Sequence, residues 1–159
     1  MKHWIRTAAA LTTLAVASCG GGNSIGGLDA ENVYNISLTQ SAEVPVPKAT
    51  TASGTAQIVI YPDRIDYEIT GSSIIGVTMA HFHNGAAGVA GPIVVTLLNQ
   101  PSSPSGTING VITSGTLTSA NLPAGVTLES LKTLLRSGNA YVNVHTTTNP
   151  SGEIRGQIK

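Results

Sequence analysis

Three histidines carry the chemistry this chain could perform. His81 and His83 lie in Ala80-His81-Phe82-His83-Asn84-Gly85, and His145 lies in Tyr141-Val142-Asn143-Val144-His145-Thr146. The fourth histidine of the chain, His3, falls in an N-terminal leader. Three converging neutral imidazoles suit copper or zinc, and a His-x-His pair on a strand offers two ligands to one ion. Each ligand also needs its second ring nitrogen oriented by a carbonyl or a carboxylate. Asn143 and Glu153 are the nearest side chains in sequence for that support. Two other roles fit the same rings. They could tie strand ends to the glycine-rich stretch Gly85–Gly91, or one of them could act as a general acid or base.

The elements that must position these rings read as strands. Residues two apart in a strand point the same way, so His81 and His83 share a face and Phe82 takes the other. Likewise Val142 and Val144 share one face, Asn143 and His145 the opposite one. Phe82, Val142 and Val144 are then expected in a core, with the imidazoles on an outer sheet face or near its rim. They meet only if the two strands are neighbours. Short β-branched runs between turn residues predict strands over Val33–Thr39, Gly54–Tyr61, Arg64–Thr70, Ile74–His83, Pro92–Leu98, Thr107–Leu117, Ala140–Thr146 and Glu153–Ile158. Pro62-Asp63 makes a tight turn between the second and third. This is the pattern of an all-β sandwich or barrel.

One short helix, near 127–137, interrupts the strands. Thr127 is its N-cap, Leu128, Leu131, Leu134 and Leu135 its core stripe, and Gly138 follows its end. Gln100–Gly106, with two prolines and three serines, reads as a loop. Glu43-Val44-Pro45-Val46-Pro47 reads as an edge strand whose prolines block pairing, with a weaker alternative as a ligand loop. Glu153 and Arg155 share a face and could pair with each other or brace the segment around His145.

The N-terminus is an export signal. Lys2, His3 and Arg6 make a positive start, and Ala8 to Ala17 an apolar run too short to span a bilayer. Val16-Ala17-Ser18-Cys19 matches a bacterial lipobox, and Cys19 is the chain's one cysteine. Residues 1–18 are expected to be removed, Cys19 to carry lipid, and residues 19–30 to form a flexible glycine-rich tether. That leaves a β domain over 31–159, attached to a membrane through its lipid. The whole chain has eight basic and eight acidic side chains; without Lys2 and Arg6 the balance is −2. No basic patch is visible, so a nucleic-acid partner is not expected. With its thiol at the lipid site the domain forms no disulfide, and packing must stabilise it.

Several motifs in order then resemble one family. They are Gln40-Ser41-Ala42-Glu43-Val44-Pro45, Ser53-Gly54-Thr55-Ala56, Ala80-His81-Phe82-His83-Asn84-Gly85, Gly91-Pro92-Ile93-Val94-Val95, Tyr141-Val142-Asn143-Val144-His145-Thr146, and Asn149-Pro150-Ser151-Gly152-Glu153-Ile154-Arg155-Gly156-Gln157. This order is similar to the chordin-type (CHRD) domain from about Tyr34 to Ile158. The resemblance implies an immunoglobulin-like or superoxide-dismutase-like barrel. In animals such domains belong to a secreted growth-factor antagonist, and in bacteria to small exported proteins. The likeness to copper–zinc dismutase stops at the His-x-His strand and one distant histidine, because no further ligands stand ready for a bridged zinc subsite.

The expected function is a lipid-anchored cell-envelope CHRD module, non-catalytic, that binds a protein or surface polymer or serves a structural role. The alternative is a copper- or zinc-binding or redox protein using His81, His83 and His145. If the source has two membranes, Gly20 after the cysteine fits the outer one.

Overall fold

The structure, a computed structural model, describes residues 29–100 and 106–159. The leader, Cys19 and the glycine-rich stretch through residue 28 lie outside the described residues, as do residues 101–105 of the expected loop.

Alternating β-branched residues build eight strands: β1 (Asn32–Leu38), β2 (Ser53–Ile60), β3 (Ile65–Ile75), β4 (Val77–Asn84), β5 (Ile93–Asn99), β6 (Thr107–Leu117), β7 (Ala140–Thr146) and β8 (Ile154–Ile158). They pair antiparallel in two sheets, ordered β1-β2-β3-β6 and β5-β4-β7-β8. The inner faces meet as a sandwich. Ile58, Ile60, Ile65 and Ile69 from one sheet and Phe82, Val142, Val144 and Ile154 from the other are fully buried. Each such side chain stabilises the fold by about 1.5–3 kcal/mol. Phe82 meets Tyr67 edge-on across the gap, with ring centroids 6.2 Å apart. The all-β sandwich expected from the strand pattern is the fold observed.

The helix α1 (Leu128–Arg136) opens on a capping box, in which Thr127 and Ser130 each satisfy the other's backbone N–H. Leu128, Leu131 and Leu135 pack into the core. Lys132 is buried beside them, its ammonium donating to Pro62 O at 3.0 Å and to Glu129 at 2.8 Å. The helix is thereby fastened to the β2–β3 turn.

Two local expectations are corrected. The third strand was expected to stop at Thr70 and the next to open at Ile74. Instead β3 runs on to Ile75, absorbing Ser72 and Ser73 as a bulge, and Ile74 pairs with Ile108. The break falls at Gly76, whose φ of +72° suits glycine, and a Cβ there would lie 2.4 Å from Thr147 Oγ1. The second correction concerns residues 43–47, which form no strand. After a 3₁₀ turn at Gln40–Ala42 the chain is irregular through residue 50. Pro45 and Pro47 lack the N–H groups a ladder needs.

What directs this segment is the stitch between β1 and β8. Thr39 N donates to Arg155 O and Arg155 N to Thr39 O, both at 3.0 Å. The chain leaving β1 is thus carried past β8 toward the outer face of the second sheet. Lys48 N then donates to Asn149 Oδ1, and Asn149 Nδ2 to Lys48 O. Among the described residues, no helix is long and apolar enough to cross a membrane.

Candidate metal centre

The register of the second sheet decides what its outer face presents. Across β4, β7 and β8, His81 pairs with Asn143 and Asn143 with Arg155; one row on, His83 pairs with Tyr141 and Tyr141 with Gln157. On the other side Met79 pairs with His145, and Glu153 N donates to Val144 O just before β8 begins. Ala80, Phe82, Val142 and Val144, the intervening residues, go to the core. The strand parity expected for both motifs therefore holds, and the two strands are neighbours.

The three rings converge. His81 Nδ1 and His145 Nε2 are 3.0 Å apart, and one nitrogen from each of the three rings lies within 4.8 Å of the others. Ring centroids are 4.8 Å apart for His81 and His145, 5.5 Å for His81 and His83, and 6.3 Å for His83 and His145. Metal–nitrogen bonds of roughly 2.0–2.1 Å require donor pairs about 3.3 Å apart in a tetrahedral site. One pair already meets this, and His83 needs a modest inward movement.

The rings lie outside the sandwich core but are not open to solvent. His81, His83 and His145 are 3%, 6% and 7% exposed. Three loops contribute to their surroundings: residues 40–50, the 85–92 segment and the 147–152 turn. Two of these orient the rings through backbone carbonyls, a source that sequence spacing does not reveal. His145 Nδ1 donates to Pro150 O, and His83 Nδ1 to Gly91 O, both at 2.9 Å. Those bonds leave the Nε2 atoms of both rings as lone pairs. His145 Nε2 faces His81 Nδ1 and Asn143 Oδ1, the latter at 3.1 Å, and His83 Nε2 is buried with no partner.

Burial sets the protonation. It lowers the pKa of His81 to about 4, helped by the neighbouring His145 and His83. It lowers those of His83 and His145 as well, against the opposing pull of their carbonyl partners. At neutral pH all three rings are neutral, which is the state that binds metal.

The acidic and basic residues near the rings have separate tasks. Glu153 accepts from Thr50 Oγ1 at 2.6 Å and from the Thr146 hydroxyl, which in turn accepts from Asn149 N. It fixes the turn that carries the Pro150 carbonyl. Arg155, 1% exposed, lies 3.4 Å over the Tyr141 ring and donates to Ala86 O and Val89 O at 3.1 and 3.0 Å. Glu153 and Arg155 thus serve different loops and do not pair with each other. Glu43, which sequence reasoning had placed on an edge strand, is 3% exposed beside Asn143 and Arg155. Burial raises its pKa to about 7 against the pull of Asn143 and Arg155, and its Oε1 has no partner.

Fold and site together define a two-sheet β module with a covered imidazole cluster on one outer face. The family model of the CHRD domain matches residues 34–158, and the chain belongs to that family. No curated protein and no solved structure matches it.

Proposed function

We propose that this protein is a lipid-anchored envelope module that holds one copper or zinc ion through His81, His83 and His145. The observation that carries this reading is the donor balance at the cluster. Two Nε2 lone pairs are fixed by the carbonyls behind their rings, and a proton on His81 can serve only the one it faces. A buried acceptor without a donor costs about 1–3 kcal/mol. A cation shared by the rings removes that cost. The anchoring half of the reading rests on the lipobox at Val16-Ala17-Ser18-Cys19 and the glycines behind it. It is best supported as an exported location, at the outer membrane where there are two.

The hydroxyls of Thr50 and Thr146 are committed to Glu153 at the turn and not to a ring nitrogen, which favours binding over catalysis. The test is metal analysis of the purified full chain after growth with copper or zinc. One equivalent is expected, and His81→Ala, His83→Ala and His145→Ala should each lose it. A folded wild-type chain that takes up neither ion at micromolar concentration would overturn the reading. It would leave a module that docks a protein or surface polymer.

A further inference from the structure

Asn143 occupies the middle of the outer-face array, between His81 on one strand and Arg155 on another. Its Oδ1 is 3.1 Å from His145 Nε2. The Pro150 carbonyl already takes the proton on the other nitrogen of that ring, so Nε2 brings a lone pair to this contact. Two acceptors at hydrogen-bond distance repel unless a proton or a cation lies beside both. The Glu43 carboxyl is buried beside Asn143, an acceptor suited to drawing the NH₂ group toward itself and turning Oδ1 toward the rings. The separation of Oδ1 from Nε2 also matches the roughly 3.3 Å between two donors on one tetrahedral ion.

We infer that Asn143 Oδ1 is a fourth metal ligand, that Glu43 is the residue positioning it, and that the site is built for a divalent ion. This rests on the three-histidine reading and adds to it. Three imidazoles and an amide oxygen form a donor set of borderline and hard atoms, which suits Zn²⁺ or Cu²⁺. Cu⁺ is satisfied by the imidazoles and gains little from the oxygen. The oxygen therefore selects the oxidation state. Glu43 reaches Asn143 from the covering segment that follows the β1–β8 stitch, so that segment's placement and the fourth ligand are coupled. Gly152 leaves room for this: a Cβ at that position would lie 2.3 Å from Glu43 Oε1.

The experiment measures Zn²⁺, Cu²⁺ and Cu⁺ affinities of the full chain in detergent by chelator competition. The Co²⁺ ligand-field spectrum is recorded alongside. Asn143→Ala should weaken Zn²⁺ and Cu²⁺ binding by about 10–100-fold, the loss typical of removing a supporting group at a metal site. It should leave Cu⁺ within about twofold and change the Co²⁺ spectrum. A general packing defect would weaken all three ions together, and that result overturns the assignment. So does unchanged Zn²⁺ binding with an unchanged Co²⁺ spectrum, which would mean a flipped amide donating to His145. If Asn143→Ala does not fold, Glu43→Gln decides. A fall in Zn²⁺ affinity with Cu⁺ retained supports the inference, and equal affinities for all ions overturn it. His145→Ala separates the two levels. If it loses every ion while Asn143→Ala loses none, the three-histidine site stands and only the fourth ligand falls.

Discussion

The imidazole of His83 lies flat on the phenol ring of Tyr141, with centroids 4.6 Å apart and planes within 5° of parallel. Arg155 covers the same phenol from the β8 side, so one aromatic ring holds a candidate ligand and a buried cation. The phenol oxygen adds a second restraint. It accepts from Gly91 N at 3.1 Å and donates to Gly91 O at 3.3 Å, the carbonyl that also orients His83. Tyr141→Phe keeps the stack and removes both contacts. It should cost about 1 kcal/mol in denaturant unfolding and weaken metal binding by severalfold at most. A loss of all metal would show that the hydroxyl, and not the stack, holds His83.

Arg155 is a different case, because its charge is buried and no carboxylate lies within ion-pair distance of it among the described residues. Two loop carbonyls and the Tyr141 face compensate it. Arg155→Met keeps much of the volume but takes the guanidinium donor from both carbonyls, leaving Ala86 O with only the Val89 N–H. Charge-assisted hydrogen bonds contribute roughly 1.5–3 kcal/mol each, so a loss of about 3 kcal/mol is expected by chemical denaturation. Increased hydrogen exchange confined to residues 85–92 would locate the effect; an unchanged midpoint would contradict it.

Acid should unfold the metal-free protein through the histidines. An unfolded His81 takes up its proton near pH 6.5, whereas the folded one waits until about pH 4. Between those values the unfolded chain binds more protons, so stability is full above 6.5 and falls as pH drops toward 4. His83 and His145 shift in the same direction and add to the slope. Melting temperatures at pH 7.5, 6.0 and 5.0 test this, with His81→Asn expected to flatten the curve. Because Glu43 titrates with the opposite sign in this window, the His81 contribution is read as the difference between wild type and His81→Asn, and a difference independent of pH would rule it out.

Glu43 works with the opposite sign. Its folded pKa is about 7 against 4.5 unfolded, so in that window the folded chain binds more protons and stability falls as pH rises. Glu43→Gln carries no charge at any pH. Relative to wild type, the metal-free variant should gain on the order of 1–3 kcal/mol between pH 5 and pH 8. The check is a pair of urea curves for each protein at the two pH values, and equal shifts would refute the assignment.

The strand parity around His81, His83 and His145 was legible in the chain, because period-two alternation of Phe82, Val142 and Val144 leaves one solution for which side faces the core. The neighbourhood of β4 and β7 was not, since pairing between segments sixty residues apart depends on topology. Ile74 was misassigned for a local reason: Gly71-Ser72-Ser73 resembles a turn, yet pairing with β6 absorbs it as a bulge. Glu43 was missed as a neighbour of Asn143 because nothing in Val44-Pro45-Val46-Pro47 indicates which sheet face the segment crosses. The carbonyls of Gly91 and Pro150 were equally hidden, as backbone oxygens carry no sequence signature.

Those two carbonyls belong to turns, while the rings they aim belong to strands. An ion held there would loosen when either turn lifts, because each turn aims one of the two rings. Exchange would then run at the pace of loop opening, far slower than at an exposed cluster of the same affinity. Such a module would act as a keeper of its ion, poorly suited to handing it on quickly.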